Sequence, residues 1–437
     1  MNKRLIAVAQ TSITTLIAVL TLISVLVPLA SAQASSAAVS DKAKQIHDSA
    51  IVIDTHADTP QRFIDENFDI GTVTPVSEGN IDLQKAQEGN LGAEFFSIWV
   101  APDIYKGHFA RRTLDLIDSV YEQVARHPEQ MMMAFSAEDI VEARSGQKKK
   151  LAALMGIEGG HSLEGDIRLL RDYYRLGVRY MTLTWSNTNE IGDSSGDLDK
   201  KDVPHHNGLT PFGKQVVLEM KRLGMMVDIS HVADKTFWDT LAVTKAPVIA
   251  SHSSARALSH AARNMTDDML RAVAKNGGVV DVNFYSGFVD DKYRQAEEAQ
   301  KPARDAAIAA GLRERRAKGL PVNYMDEDRI QRTWMTKIPR PPLSALIDQI
   351  DHVAKVAGID HVGLGSDFDG VSGALPAGMD SVADLPKITQ GLLDRGYTAE
   401  QIQKVLGGNV LRVFREVERV SREMRDQPPS SKAPGNQ

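Results

Sequence analysis

Six side chains in this 437-residue chain share one kind of position: each follows a short apolar run. His56 and Asp58 come after residues 51–53, Glu158 after 153–157, His231 after 225–230, His252 after 247–251, and Asp367 after 361–366. Side chains alternate along an extended chain, so His56 and Asp58, two residues apart, share a face. An imidazole beside a carboxylate suits a borderline divalent metal such as zinc. His-x-Asp alone is commonplace, and a strand ending in a polar turn would produce it too. What gives it weight is repetition of the arrangement along the chain. Three histidines and three acids exceed the needs of one tetrahedral ion. They suit two ions sharing a carboxylate, with His56, Asp58 and Glu158 on one and Glu158, His231 and His252 on the other. Such a pair lowers the pKa of a bridging water and polarises a carbonyl. Asp367 is then free to carry a proton to a leaving nitrogen. The implied chemistry is metal-assisted hydrolysis of an amide or similar acyl bond.

For residues so far apart to meet, the elements between them must bring them together. Eight apolar, β-branched stretches read as strands: 51–53, 92–100, 153–157, 178–185, 225–230, 247–251, 278–284 and 361–366. Helical periodicity follows most of them, at 111–126, 137–144, 163–176, 211–223, 234–244, 266–276 with Thr266 as N-cap, and 343–357. Residues 59–90 read as polar loop, and the end of the chain as helical, most clearly at 411–420. This alternation predicts an α/β fold, a (β/α)8 TIM-type barrel, with its polar residues on the face formed by the carboxyl ends of the strands. No Gly-rich phosphate turn favours the rival doubly wound sheet. Residues 286–342, charged and rich in Ala and Arg, read as a mostly helical insertion between strands 7 and 8.

Composition is ordinary for a globular protein, at 42% hydrophobic and 25% charged, with a net charge of −6. Without Lys3 and Arg4 the charge is about −8, and no basic patch points to nucleic acid. With no cysteine, any metal must use His, Asp and Glu, and no thiol nucleophile exists. Lys3 and Arg4 precede an apolar stretch and then Ala30-Ser31-Ala32, the pattern of a cleaved leader. Residues 1–32 are therefore expected to be a signal peptide and 33–49 a linker and short lead-in. The hydrolase barrel is expected over 50–425, and a disordered tail over 426–437. The expected location is exported, periplasmic or secreted, with no stable membrane anchor.

Six motifs occur in order: Ile53-Asp-Thr-His-Ala-Asp58, Gly156-Ile-Glu-Gly-Gly-His161, Asp228-Ile-Ser-His231, Ala250-Ser-His-Ser-Ser-Ala255, Ala262-Arg-Asn264 and Gly363-Leu-Gly-Ser-Asp-Phe-Asp-Gly370. Together they resemble the membrane (renal-type) dipeptidase family, zinc metallopeptidases related to the amidohydrolases, over roughly residues 50–420. The resemblance implies two zinc ions bridged by Glu158, with His56 and Asp58 on one side and His231 and His252 on the other. It places the substrate-carboxylate arginine on Arg263 and the proton-transferring acid on Asp367. It also implies a dipeptide substrate with a D-residue tolerated at the carboxyl terminus, β-lactam opening in some members, and a homodimer. Where mammalian members carry a substrate-polarising histidine, this chain has Trp185, and residues 286–342 exceed the expected length.

Other polar residues have plainer readings. His161 reads as structural, His205 and His206 as exposed, and Asp369 as a turn residue; Asp228 either orients a metal-bound imidazole or ends a strand. Two further functions compete with a dipeptidase. One is an exported hydrolase of another small amide, lactam or lactone; the other is a non-catalytic barrel using Arg263 to hold small carboxylates.

Overall fold

The computed structural model describes residues 38–146 and 148–424; the leader and tail assigned from the sequence lie outside them. Among the described residues nine parallel strands run in chain order: β1 (Val52–Ala57), β2 (Leu91–Trp99), β3 (Met131–Met133), β4 (Leu151–Glu158), β5 (Val178–Thr182), β6 (Met226–Asp228), β7 (Ile249–Ala250), β8 (Val279–Val282) and β9 (Val362–Leu364). Eight of them form the nearly closed barrel β1-β2-β4-β5-β6-β7-β8-β9, and β3 is a short addition beside β4. A parallel bridge between Ala57 and Phe368 joins the two ends of the sheet. Each of the eight expected strands is present. β3 was not anticipated, because three methionines are too short a run to separate from loop.

The helices are α1 (Asp41–Ser49), α2 (Thr59–Asp65), α3 (Leu83–Glu88), α4 (Phe109–Arg126), α5 (Ala137–Ser145), α6 (Ile167–Arg175), α7 (Pro211–Leu223), α8 (Asp234–Val243) and α9 (Asp267–Asn276). After these come α10 (Ser286–Val289), α11 (Asp291–Ala317), α12 (Tyr324–Met335), α13 (Leu343–Ala357), α14 (Pro386–Asp394), α15 (Ala399–Gln403) and α16 (Asn409–Glu423). The expected lead-in is the helix α1, capped by Ser40 and burying Ala43, Ile46 and His47. The stretch expected as loop before residue 90 contains α2, with Pro60 in its first turn, and α3, capped by Asp82. α6 starts later than its periodicity suggested, because Asp166 takes the N-cap. Residues 286–342 contain α10, α11 and α12.

The strands are buried on both faces, as parallel barrel strands must be. At one end α16 packs Val410, Val413 and Phe414 into a buried cluster with Ile53, Phe95 and Tyr180. The opposite end, the carboxyl ends of the strands, carries the polar side chains.

Candidate metal centre

β1 delivers His56, β4 delivers Glu158, and the turns after β6 and β7 deliver His231 and His252. Glu158 turns its two oxygens to different partners. Oε2 lies 3.5 Å from His56 Nε2, while Oε1 lies 2.8 Å from His231 Nε2 and 3.4 Å from His252 Nε2. The last two nitrogens are themselves 3.0 Å apart. Asp58 Oδ2 is 3.6 Å from His56 Nε2. Donor atoms of His56, Asp58 and Asp367 lie within 4.8 Å of one another, as do those of His56, Glu158 and His252. All six groups singled out from the sequence therefore meet.

The far sides of two rings settle which nitrogen is bare. Tyr180 Oη contacts both the Thr55 carbonyl, at 3.1 Å, and His56 Nδ1, at 2.9 Å. A carbonyl can only accept, so the single phenolic proton goes to Thr55 and the oxygen accepts from His56 Nδ1–H. Burial pushes the Tyr180 hydroxyl well up, so it keeps that proton. Ser251 does the same for His252: Oγ donates to Asp228 Oδ2 at 2.6 Å and accepts from His252 Nδ1–H at 2.7 Å. Nδ1 therefore carries a proton in each ring, so the neutral form of each presents an unprotonated Nε2 to the centre, the tautomer a metal requires. Asp228 makes the strand-end bonds, with Oδ1 accepting the Ser230 and Ser251 amides, and its Oδ2 also reaches His252 through Ser251.

Tyr180 and Ser251 were not singled out from the sequence. A signal for Tyr180 existed in Gly156, its register partner on β4. A Cβ there would lie 1.9 Å from Tyr180 Cζ, so only glycine lets the ring cross to His56. Gly370 similarly leaves room for the acids, because its Cβ would lie 2.1 Å from Asp58 Oδ2 and 2.5 Å from Asp367 Oδ1.

The charge balance favours a cation. Burial and the histidines' hydrogen bonds compete at Glu158, and His56, His231 and His252 win, holding it well below the usual carboxylate range. Burial, with Glu158 and Asp367 adding to it, pushes Asp58 up to about 7. Burial would lower His56, yet Tyr180, Glu158 and Asp58 outweigh it and hold the ring well above its ordinary value. His231 and His252 are lowered, chiefly by burial, and stay neutral. His56 Nε2 and Asp58 Oδ1 are buried without a hydrogen-bond partner. Two neutral imidazoles, a third whose proton an ion would displace, buried carboxylates and orphaned donor atoms are what divalent ions would satisfy, so the residues present fit them.

Asp367, with φ of 64°, and His231, with φ of 65°, sit in the left-handed region that non-glycine residues avoid. Asp367 Oδ2 accepts from Asn283 Nδ2 at 2.9 Å. Arg263 lies in the loop after β7. Its Nη1 donates to Ser253 Oγ and its Nη2 to the His252 carbonyl, both at 2.7 Å, while Nε is buried with no partner. Burial pushes its guanidinium down to about 10. Trp185, half-buried, has its ring centroid 6.4 Å from that of His231.

The plain readings fit their surroundings. His161 Nε2 contacts the Val100 carbonyl at 2.9 Å, and His205 and His206 are exposed. Asp369 ties loops together, accepting from Thr59 Oγ1 and the Asn80 amide, both at 2.7 Å. Deeper in the barrel, Glu94 and Asp281 are fully buried, with neither carboxyl oxygen hydrogen-bonded, and burial pushes both well above the carboxylate range.

Known proteins share this arrangement of fold and chain. A model of the membrane dipeptidase family, peptidase family M19, matches residues 40–428. Human dipeptidase 3 is 33% identical over 382 residues, covering 86% of this chain and 67% of that protein. An uncharacterised dipeptidase of Schizosaccharomyces pombe is 33% identical over 398 residues, covering 86% and 83%. The crystal structure of the probable dipeptidase PvdM from Pseudomonas aeruginosa superposes with a TM-score of 0.73 at 26% identity, over 87% of this chain and 98% of that one. A metallopeptidase from Rhodobacter sphaeroides, solved with a phosphinate mimic of L-Ala-D-Ala, shares the fold with a TM-score of 0.65 at 22% identity, over 84% and 99%.

Proposed function

This chain belongs to the membrane dipeptidase family and is a metal-dependent peptide-bond hydrolase; from that premise we propose that it is an exported dipeptidase with two zinc ions bridged by Glu158. The observation that carries the metal count is the division of the Glu158 carboxylate, one oxygen facing His56 and the other facing His231 and His252. His56 and Asp58 would hold one ion and His231 and His252 the other. When bound, such ions supply Lewis-acid polarisation of a carbonyl and lower the pKa of water.

The chain's own groups do the rest. Arg263 offers its positive charge and its unpartnered Nε–H to the free carboxylate of the substrate, while Ser253 and the His252 carbonyl hold its Nη groups in place. This makes the enzyme a dipeptidase rather than an endopeptidase. Asp367, steadied by Asn283, takes the proton of the attacking water and passes it to the leaving nitrogen. A D-residue at the carboxyl-terminal position and a homodimeric state rest on the family resemblance. Export rests on the leader pattern in residues 1–32; among the described residues no helix is long and apolar enough to cross a membrane.

The test is release of amino acids from a panel of L,L- and L,D-dipeptides, with elemental analysis and anomalous scattering on protein purified without chelator. Two zinc ions and turnover are expected. One bound ion, with His231 and His252 free, would sink the two-metal reading. Trp185, in place of the family histidine beside His231, supports a second reading in which the same centre opens another small amide, lactam or lactone. Turnover of those substrates with none on dipeptides would favour it.

A further inference from the structure

The insertion brings an aromatic side chain to the mouth of the barrel. Tyr324, the first residue of α12, packs edge-on against Trp99 with ring centroids 4.6 Å apart. Trp99 in turn lies 4.8 Å from Trp185. The three rings, from the end of β2, the loop after β5 and the insertion, form one continuous aromatic wall. Trp99 is the register partner of Glu158, so the wall begins beside the metal centre.

Tyr324 is held there firmly. Asn323 and Asp326 make a reciprocal capping box around it, with bonds of 3.1 and 3.2 Å, and Arg315 of α11 pairs with Asp326 at 2.9 Å. Asp328 accepts from Ser372 Oγ at 2.6 Å, tying α12 to the loop after β9. A wall built only to fill space would need no such support from a surface insertion. Trp99 is buried beneath the other two rings, whereas Tyr324 and Trp185 are only half-buried. The exposed parts of those two rings are therefore available to a ligand.

Barrel order says which part of a ligand meets it. β2 and β7 stand four places apart in the eight-strand ring, on opposite sides of the mouth. Arg263 is anchored on the β7 side, to the His252 carbonyl and Ser253. The dipeptidase reading, on which this step rests, puts the substrate carboxylate at Arg263 and the scissile carbonyl at the centre. The amino-terminal residue then extends towards β2. We propose that Trp99, Trp185 and Tyr324 form the subsite for the side chain of the amino-terminal residue, and that the insertion, through Tyr324, sets a preference there for large apolar and aromatic side chains. Flat faces at these spacings suit a stacked or edge-on ring.

The test compares kcat/KM on two series, Gly-Ala, Leu-Ala and Phe-Ala against Ala-Gly, Ala-Leu and Ala-Phe, for wild type, Tyr324→Ala, Tyr324→Leu and Tyr324→Phe. In wild type Phe-Ala should exceed Gly-Ala. Tyr324→Ala should shrink that ratio about tenfold, Tyr324→Leu by less, and Tyr324→Phe should retain it, since an aromatic pair contributes on this scale. Ratios within the second series should not move. The leucine variant serves if the alanine variant is misfolded by circular dichroism. Equal changes in both series, or none in either, would overturn the subsite. Wild-type protein inactive on every dipeptide would overturn the dipeptidase reading and the subsite with it.

Discussion

Tyr180→Phe removes one oxygen atom that never touches a metal ligand atom, yet it should weaken metal binding. In the wild type that oxygen takes the His56 Nδ1–H at 2.9 Å and gives its proton to the Thr55 carbonyl at 3.1 Å. With phenylalanine both groups lose their partner, and both are buried. Leaving a buried polar group unsatisfied costs about 1–3 kcal/mol. Part of this cost falls on the fold and part on His56, which is no longer held in the Nε2-bare tautomer. Loss of the partner that orients a metal-bound histidine typically lowers affinity about 10–100-fold, or about 1.4–2.8 kcal/mol. Chelator competition followed by elemental analysis would measure it, with thermal melts of the metal-free protein separating the share borne by the fold. Activity at saturating metal should recover most of the wild-type rate. Gly156→Ala should give a related loss, because its Cβ would displace the Tyr180 ring. A folded Tyr180→Phe protein with metal affinity within about twofold of wild type would refute the tautomer assignment.

Asp367→Asn should keep its metals and lose about 10²–10⁴-fold in kcat, as when a general acid–base is removed; full turnover, or loss of an ion, would show that Asp367 acts otherwise. Amidating the substrate's carboxyl terminus should lower kcat/KM about 10–1000-fold through the lost contact to Arg263, and equal rates on both forms would end that assignment. Asp281→Asn should alter the pH dependence of stability. Burial holds the Asp281 carboxyl well above its unfolded value, so its stabilising protonated form is complete at acid pH, and stability falls as pH rises past the usual carboxylate range. The asparagine variant lacks that slope, so its melting temperature relative to wild type should climb between pH 5 and 8; a constant difference would mean Asp281 titrates alike in both states.

Much of this was legible because barrel strands leave a strong trace. Buried on both faces, they are nearly continuous apolar runs, and a polar residue ending one stands out. That is how His56, Glu158, His231 and His252 were found without any structure. The helix α2 was hidden because Asp58, read only as a ligand, also occupies its N-cap position, with the Thr59-Pro60 start taken for loop. Tyr180 and Ser251 were hidden for another reason. Their roles depend on register between strands and on which way a hydroxyl proton points, and neither has a period. Tyr324 lies in a segment whose composition says only helix. The Asn323-x-x-Asp326 capping box marks where α12 starts, but nothing local says that this start meets Trp99 or that Arg315 pairs with Asp326.

The bridge between Ala57 and Phe368 has a consequence for how the molecule assembles. It is the joint between the first and last barrel strands, and it is reinforced by the Asp367 amide on the His56 carbonyl at 2.9 Å and the Asp58 amide on the Phe368 carbonyl at 2.8 Å. Ser366 Oγ also reaches the His56 carbonyl across 310 residues of chain. Contacts of such long range carry the greatest loop-closure entropy and slow folding. This joint needs β9, so it cannot form until nearly all of the barrel has been synthesised. His56 and Asp58 lie on one side of it and Asp367 on the other. An ion held by His56 and Asp58 would therefore sit beside the joint of longest sequence range in the barrel. A chain that lacks β9 would therefore lack Asp367 and the backbone partners of His56 and Asp58.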